Sequence, residues 1–255
     1  MEQKLGRTPA MILTVLSAAA AYGLRLRQLH TAYDEAGQIL SGAGSGFFTF
    51  FTIFMAVLFA VYAWFLRPRK KYAALAGRSL PVMLCGCAAA LCMVLGSAAM
   101  LLSPEWGTDR VLALGGFAAA ACWLWTAMSC YNGKKTSVWP FLVPVLFFAL
   151  RLVINFRFWS RDPAILDYCY KLFAHISVTC ALLHLGSFCF DKGGRRVTVF
   201  FSLCGVFFSA ASMAGARPRE MLVMGGVALW LLTNLWLLLR PGKKRSREEV
   251  KPENE

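Results

Sequence analysis

Long apolar runs separated by short charged clusters make up most of the chain. A helix that crosses about 30 Å of hydrocarbon needs about 20 largely apolar residues. Eight stretches reach or approach that length: Thr8–Leu24, Phe47–Leu66, Leu80–Leu102, Val111–Cys130, Val138–Phe156, Leu172–Phe190, Val197–Ala216 and Met221–Leu239. The pattern predicts an all-α integral membrane protein, a bundle of eight transmembrane helices forming one domain over residues 1–239. The first stretch is the shortest, with 17 uncharged residues. Lys4 and Arg7 before it and Ala18–Ala21 within it imitate a secretory signal, but signal cores run about 7–15 residues. A retained first helix is expected, and its loss would leave seven spans. Residues Arg240–Glu255 are mostly charged, and a disordered cytoplasmic tail is expected there.

Composition supports lipid as the main solvent. Of 255 residues, 58% are apolar or aromatic and 16% charged, whereas a soluble domain carries about 25% charge to face water. The net charge of +14 raises nucleic acid as a partner, since basic stripes neutralise phosphates. Here the basic residues sit at the ends of apolar stretches, not on a polar face. Anionic lipid headgroups are the expected partners, and nucleic acid is not. With the N-terminus placed inside, cytoplasmic segments hold 18 of the 27 Lys and Arg residues and the outer segments 9. That bias predicts a multi-pass cell-membrane protein with both termini cytoplasmic.

Aromatic residues agree with those boundaries. Trp64, Trp139 and Trp236 fall near the predicted inner edges, and Trp106 and Trp159 near the outer ones, where indole sits half in water. Leu66-Arg67-Pro68 and Leu239-Arg240-Pro241 read as two similar helix stops, not as an internal repeat. The nine cysteines, an odd number, mostly lie in or beside spans and read as reduced thiols. Cys85-x-Cys87 diverges by about 200° on a helix, so it makes a poor metal site. No metal and no cofactor is expected.

Candidate chemistry is sparse. None of the 13 carboxylates lies mid-span, so the usual switchable group of an ion-driven carrier is missing. No Gly-x-Ser-x-Gly, His-Glu-x-x-His or phosphate-loop fingerprint is present. The densest polar block runs from Arg151 to His175. Arg151 and Asn155 share a face of the fifth span, with Arg151 about 7 Å inside its outer edge at 1.5 Å per residue. Asp162-Pro163 has the form of a helix start. Beyond it Asp167, Lys171, His175 and Thr179 recur every fourth residue into the sixth span, placing His175 at the depth of Arg151. Arg151, Asn155, Asp167, Lys171 and His175 are thus the candidate ligand-binding set, an outer-leaflet pocket for an anionic solute or lipid. The simpler reading has Arg151 snorkelling outward and Asp167 pairing with Lys171 at the interface. His184 and Asn234 lie at similar inner depth and suggest an interhelical hydrogen bond.

The blocks Arg27-Gln28-Leu29-His30-Thr31-Ala32-Tyr33-Asp34-Glu35 and Phe158-Trp159-Ser160-Arg161-Asp162-Pro163-Ala164-Ile165-Leu166-Asp167-Tyr168 resemble an uncharacterised group of bacterial multi-span membrane proteins. The resemblance implies a bacterial source and no assigned function. The functional expectation is a non-enzymatic membrane component that contacts membrane proteins or lipids. The alternative is a transporter-like or ligand-binding protein using the outer pocket.

Overall fold

All eight apolar stretches form helices, each long and apolar enough to cross a membrane. The computed structural model describes residues 7–31, 45–68, 70–71, 79–159 and 165–240, and among these every regular element is helical. The helices are α1 (Arg7–Thr31), α2 (Ser45–Phe65), α3 (Leu80–Leu102), α4 (Gly107–Tyr131), α5 (Trp139–Trp159), α6 (Ile165–Ser187), α7 (Arg195–Met213) and α8 (Pro218–Leu238). A 3-10 turn, Phe188–Phe190, extends α6. The charged tail beyond Arg240 and the Asp162-Pro163 helix start lie outside the described residues.

Local chemistry sets the ends. Pro81 and Pro218 occupy the first turns of α3 and α8, where a missing N–H leaves no bond unmade. At the start of α4 the Asp109 carboxylate accepts from the backbone N–H of Glu105 (2.9 Å) and of Trp106 (3.3 Å), fixing donors that the helix cannot satisfy itself. Most ends lie within about four residues of expectation, and two lie farther off. Helix α1 continues past Leu24 to Thr31, because Arg25 and Gln28 fall on its buried stripe and not on an exposed exit. Helix α6 begins seven residues earlier than expected, at Ile165 rather than Leu172. Of the smaller differences, α7 stops at Met213, where the backbone of Ala214 turns extended.

Six helices close a ring: each of α3 to α8 packs on its neighbours in sequence, and α8 packs back on α3. Helices α1 and α2 lie outside it against α7, so α7 is the most enclosed span, with 72% of its apolar window buried. The ring is filled. Trp123 of α4 stacks on Trp230 of α8 across its middle, at 5.2 Å and 9°. The cavity between α3, α4, α5 and α8 beside that pair holds only about 20 Å³. Close approach of α3 and α8 rests on small residues. A Cβ added at Gly226 would come within 2.9 Å of the Ala89 carbonyl oxygen, and one at Gly96 within 2.7 Å of Val223.

At one end of the bundle, here called the basic end, Arg195 donates to the carbonyls of Leu238 (2.8 Å) and Arg67 (3.3 Å). Arg196 donates to Leu66 (2.7 Å). The two Leu-Arg-Pro helix stops therefore share one cap, the paired arginines that open α7. Cations at helix C-termini satisfy orphan carbonyls and meet the negative end of the helix dipole.

Candidate functional site

The site at the opposite end is built on two inward stripes. Helix α5 buries Phe147, Phe148 and Arg151, while Leu150 and Val153 face outward at 44% and 65% exposure. Helix α6 buries Ala174, His175, Val178, Ala181, Leu182 and Leu185, the spacing of one helical face. Each polar residue thus continues an apolar stripe, and packing α5 against α6 turns the two toward each other.

Arg151 is 3% exposed and His175 2%. The Arg151 Nε–H donates to His175 Nε2 at 3.2 Å. His175 Nδ1 lies 2.7 Å from the Lys171 carbonyl, which can only accept, so Nδ1 carries the proton and Nε2 offers its lone pair to Arg151. An Arg151 terminal nitrogen points at Met100 Sδ of α3, 3.8 Å away. The arginine therefore reaches across the ring interior. Snorkelling, the simpler expectation for Arg151, is not what it does.

A charged layer lies above this contact. Arg219 of α8 bridges Glu105 (2.8 Å), the Ser103 carbonyl (2.9 Å) and Asp109 (3.5 Å), and Arg217 pairs with Glu105. Glu220 and Asp109 attract the charge of Arg151, and Arg219 repels it. An isolated charge within a span costs about 2.5–3.5 kcal/mol or more. Here two carboxylates and a neutral imidazole offset part of that cost.

The five expected site residues separate. Arg151 and His175 meet. Lys171 supplies its carbonyl to that contact, but its ammonium lies over Tyr168, 5.3 Å from the ring centre. Asn155 is half-buried one turn beyond Arg151 and makes no hydrogen bond among the described residues. The side chain of Asp167, and with it the expected Asp167–Lys171 pair, lies outside the described residues. Lys171 also lines a polar cavity of about 40 Å³ with Arg25, Tyr170, Ser212 and Gly215, between the ends of α1, α6 and α7. Arg151 and His175 line neither this cavity nor those beside Trp230, between α5 and α6, and beside Trp236.

Arg25 is the residue that sequence reading missed. It is 3% exposed, donates to Gln28 Oε1 at 2.6 Å and stacks on Tyr170 at 4.8 Å. The signal was available: Ala10, Thr14, Ser17, Ala21, Arg25 and Gln28 recur at three- and four-residue steps, and all are buried.

His184 and Asn234 do not pair. His184 stacks on Phe201 of α7, at 5.8 Å and 9°, and the Asn234 amide donates to the Trp230 carbonyl at 2.8 Å. Helix α7 stands between α6 and α8 in the ring, so equal depth does not bring the two together. All nine cysteines are free thiols. Among the described residues no cluster of three or more His, Cys, Asp or Glu is placed to hold a metal. No family model, curated protein or solved structure matches this chain; what the fold itself shows is a multi-pass bundle of eight membrane-length helices.

Proposed function

We propose that this chain is a bacterial cell-membrane protein, with both termini cytoplasmic, that acts without enzymatic chemistry through contacts with lipids and other membrane proteins. The observation that carries the reading is the filled ring. Arg151, a cation buried within α5, is spent on His175, Met100 and nearby carboxylates. A carrier needs a binding site near the bilayer midplane, and there the Trp123–Trp230 stack fills the interior.

The surface for partners is on α2. This helix leans on α7 and α1 through Phe48, Thr52, Met55 and Phe59. Its other side exposes Phe50, Phe54, Val57, Val61 and Trp64 at 51% or more. Photo-crosslinking from benzoylphenylalanine at Val57 and Val61 in native membranes tests the reading. A discrete protein adduct that is absent from matched positions Leu114 and Trp125 on α4 supports it. Adducts indistinguishable between the two helices contradict a partner face on α2.

One observation favours the ligand-binding alternative in altered form. Lys171 and Arg25 converge on the 40 Å³ polar cavity, so an outer-leaflet site for a small anion or a lipid phosphate would sit between α1, α6 and α7, not at Arg151. Stabilisation of the purified protein by inorganic phosphate, lost in Lys171→Met, would support this alternative.

A further inference from the structure

We propose that the groove between α5 and α6 at the basic end is a binding site for one anionic phospholipid. This deepens the reading above by naming a lipid partner, and it rests on the chain being a membrane protein that acts through contacts. The groove holds about 340 Å³ and is lined almost wholly by apolar surface, including Leu142, Val145, Leu183, Gly186 and Phe190, with His184 in its wall. That volume is in the range of small-molecule sites, about 300–1,000 Å³. Gly186 lets α6 approach α5 closely beside it, since a Cβ there would sit 3.2 Å from Phe141.

Two features select a phospholipid over bulk hydrocarbon. The first is His184. Its ring stacks on Phe201, and among the described residues its nitrogens have no hydrogen-bond partner. A half-buried imidazole in an apolar wall calls for one. His184 lies six residues before Phe190, about 9 Å along the helix at 1.5 Å per residue. A lipid whose phosphate is held at the mouth carries its ester carbonyls into the groove, where they can accept from an imidazole N–H. The second is charge at the mouth. The α4–α5 and α6–α7 loops are tied there by Lys135 Nζ and Asp191 Oδ2 at 3.0 Å. Asp191 is thereby matched, and Lys134 and Lys192 remain exposed on either side. A phosphate carried above the groove meets both.

The acyl chain therefore fills the groove, an ester carbonyl accepts from His184, and the phosphate lies on Lys134 and Lys192. Full-length protein delipidated in detergent is titrated with phosphatidylglycerol, with phosphatidylcholine of the same chains, and with inorganic phosphate. Bound lipid is read by native mass spectrometry and thermal stability. Phosphatidylglycerol should bind most tightly and inorganic phosphate should give no stabilisation. Replacing Lys134 and Lys192 by Gln should weaken phosphatidylglycerol binding about tenfold or more, at about fivefold per basic residue, and leave phosphatidylcholine unchanged. His184→Phe keeps the stack and should weaken both lipids. Leu183→Trp, at a position already 54% exposed, should block the groove for both.

Equal binding of the two lipids, or phosphatidylglycerol binding unchanged in Leu183→Trp or the double Gln variant, overturns the proposal. Stabilisation by inorganic phosphate that is lost in the double Gln variant assigns the basic mouth to free phosphate and overturns it too. Failure here leaves the α2 crosslinking result standing, because the two tests read different helices.

Discussion

Arg151 on α5 and His175 on α6 share a hydrogen bond of 3.2 Å between two side chains that are both almost wholly buried. The pair closes one end of the helix ring and joins α5 to α6, while Met100 ties the same guanidinium to α3. Its coupling is measurable. A double-mutant cycle with Arg151→Gln and His175→Leu should give an interaction energy of about 1–3 kcal/mol, the range for a hydrogen bond to a charged group and for contacting residues. Purely additive losses in thermal or denaturant stability would show that the two side chains do not depend on each other.

The α3–α8 crossing tolerates no side chain at its closest point. Gly226→Leu should destabilise by about 1–3 kcal/mol through overpacking against the Ala89 carbonyl. Gly225→Leu is the control, since a Cβ there meets only Met213 Sδ at 3.6 Å. Comparable losses at the two neighbouring glycines in a thermal-stability assay would contradict the packing described.

Arg195 caps two helices at once, through Leu238 and Arg67. Arg195→Gln should lower stability by about 1–3 kcal/mol, the penalty for leaving a buried carbonyl unsatisfied. Arg195→Lys should recover only part of this, because an ammonium lacks the planar fork that spans two acceptors. Full rescue by Lys, followed by thermal unfolding, would mean that charge alone suffices.

Orientation is open to direct test. Cysteines placed at Lys70, Lys134 and Lys192 should resist an impermeant thiol reagent in intact cells, and one at Arg161 should react. Asp109 is an unsuitable reporter, since its carboxylate is buried in the α4 cap. The exposed Arg110 beside it serves instead. Reversed labelling would place both termini outside.

Much of the fold was legible because one physical signal, the length of an uncharged apolar run, carries it. Helix α3 has the expected limits to the residue, since Ser79-Leu80-Pro81 and Ser103 bound a run with no interior charge. The reading failed where a charge lies on a buried stripe. Arg25 looked like the exit from α1, yet it packs under Tyr170. Arg151 looked able to escape to the interface, yet its stripe with Phe147 and Phe148 points inward. The depth of Arg151 and His175 was legible from residue count along each helix, and their contact followed because α5 and α6 are neighbours. Depth alone misled for His184 and Asn234, because sequence gives position along the membrane normal but not the order of helices around the ring. The shared arginine cap was illegible for the same reason: it needs α2, α7 and α8 to end side by side.

The filled ring is the central claim, and thiol access to its interior tests it most directly. In a chain freed of its native cysteines, single cysteines are placed at Ser97 and Thr126, which are 0% and 7% exposed. Exposed controls are placed at Ser103 and Lys134. An impermeant thiosulfonate is then applied from each side of the membrane in turn. The controls should each react from one side only, and the two interior positions should react from neither. Labelling of Ser97→Cys or Thr126→Cys at a rate comparable with the controls would reveal a water path through the bundle and contradict the account.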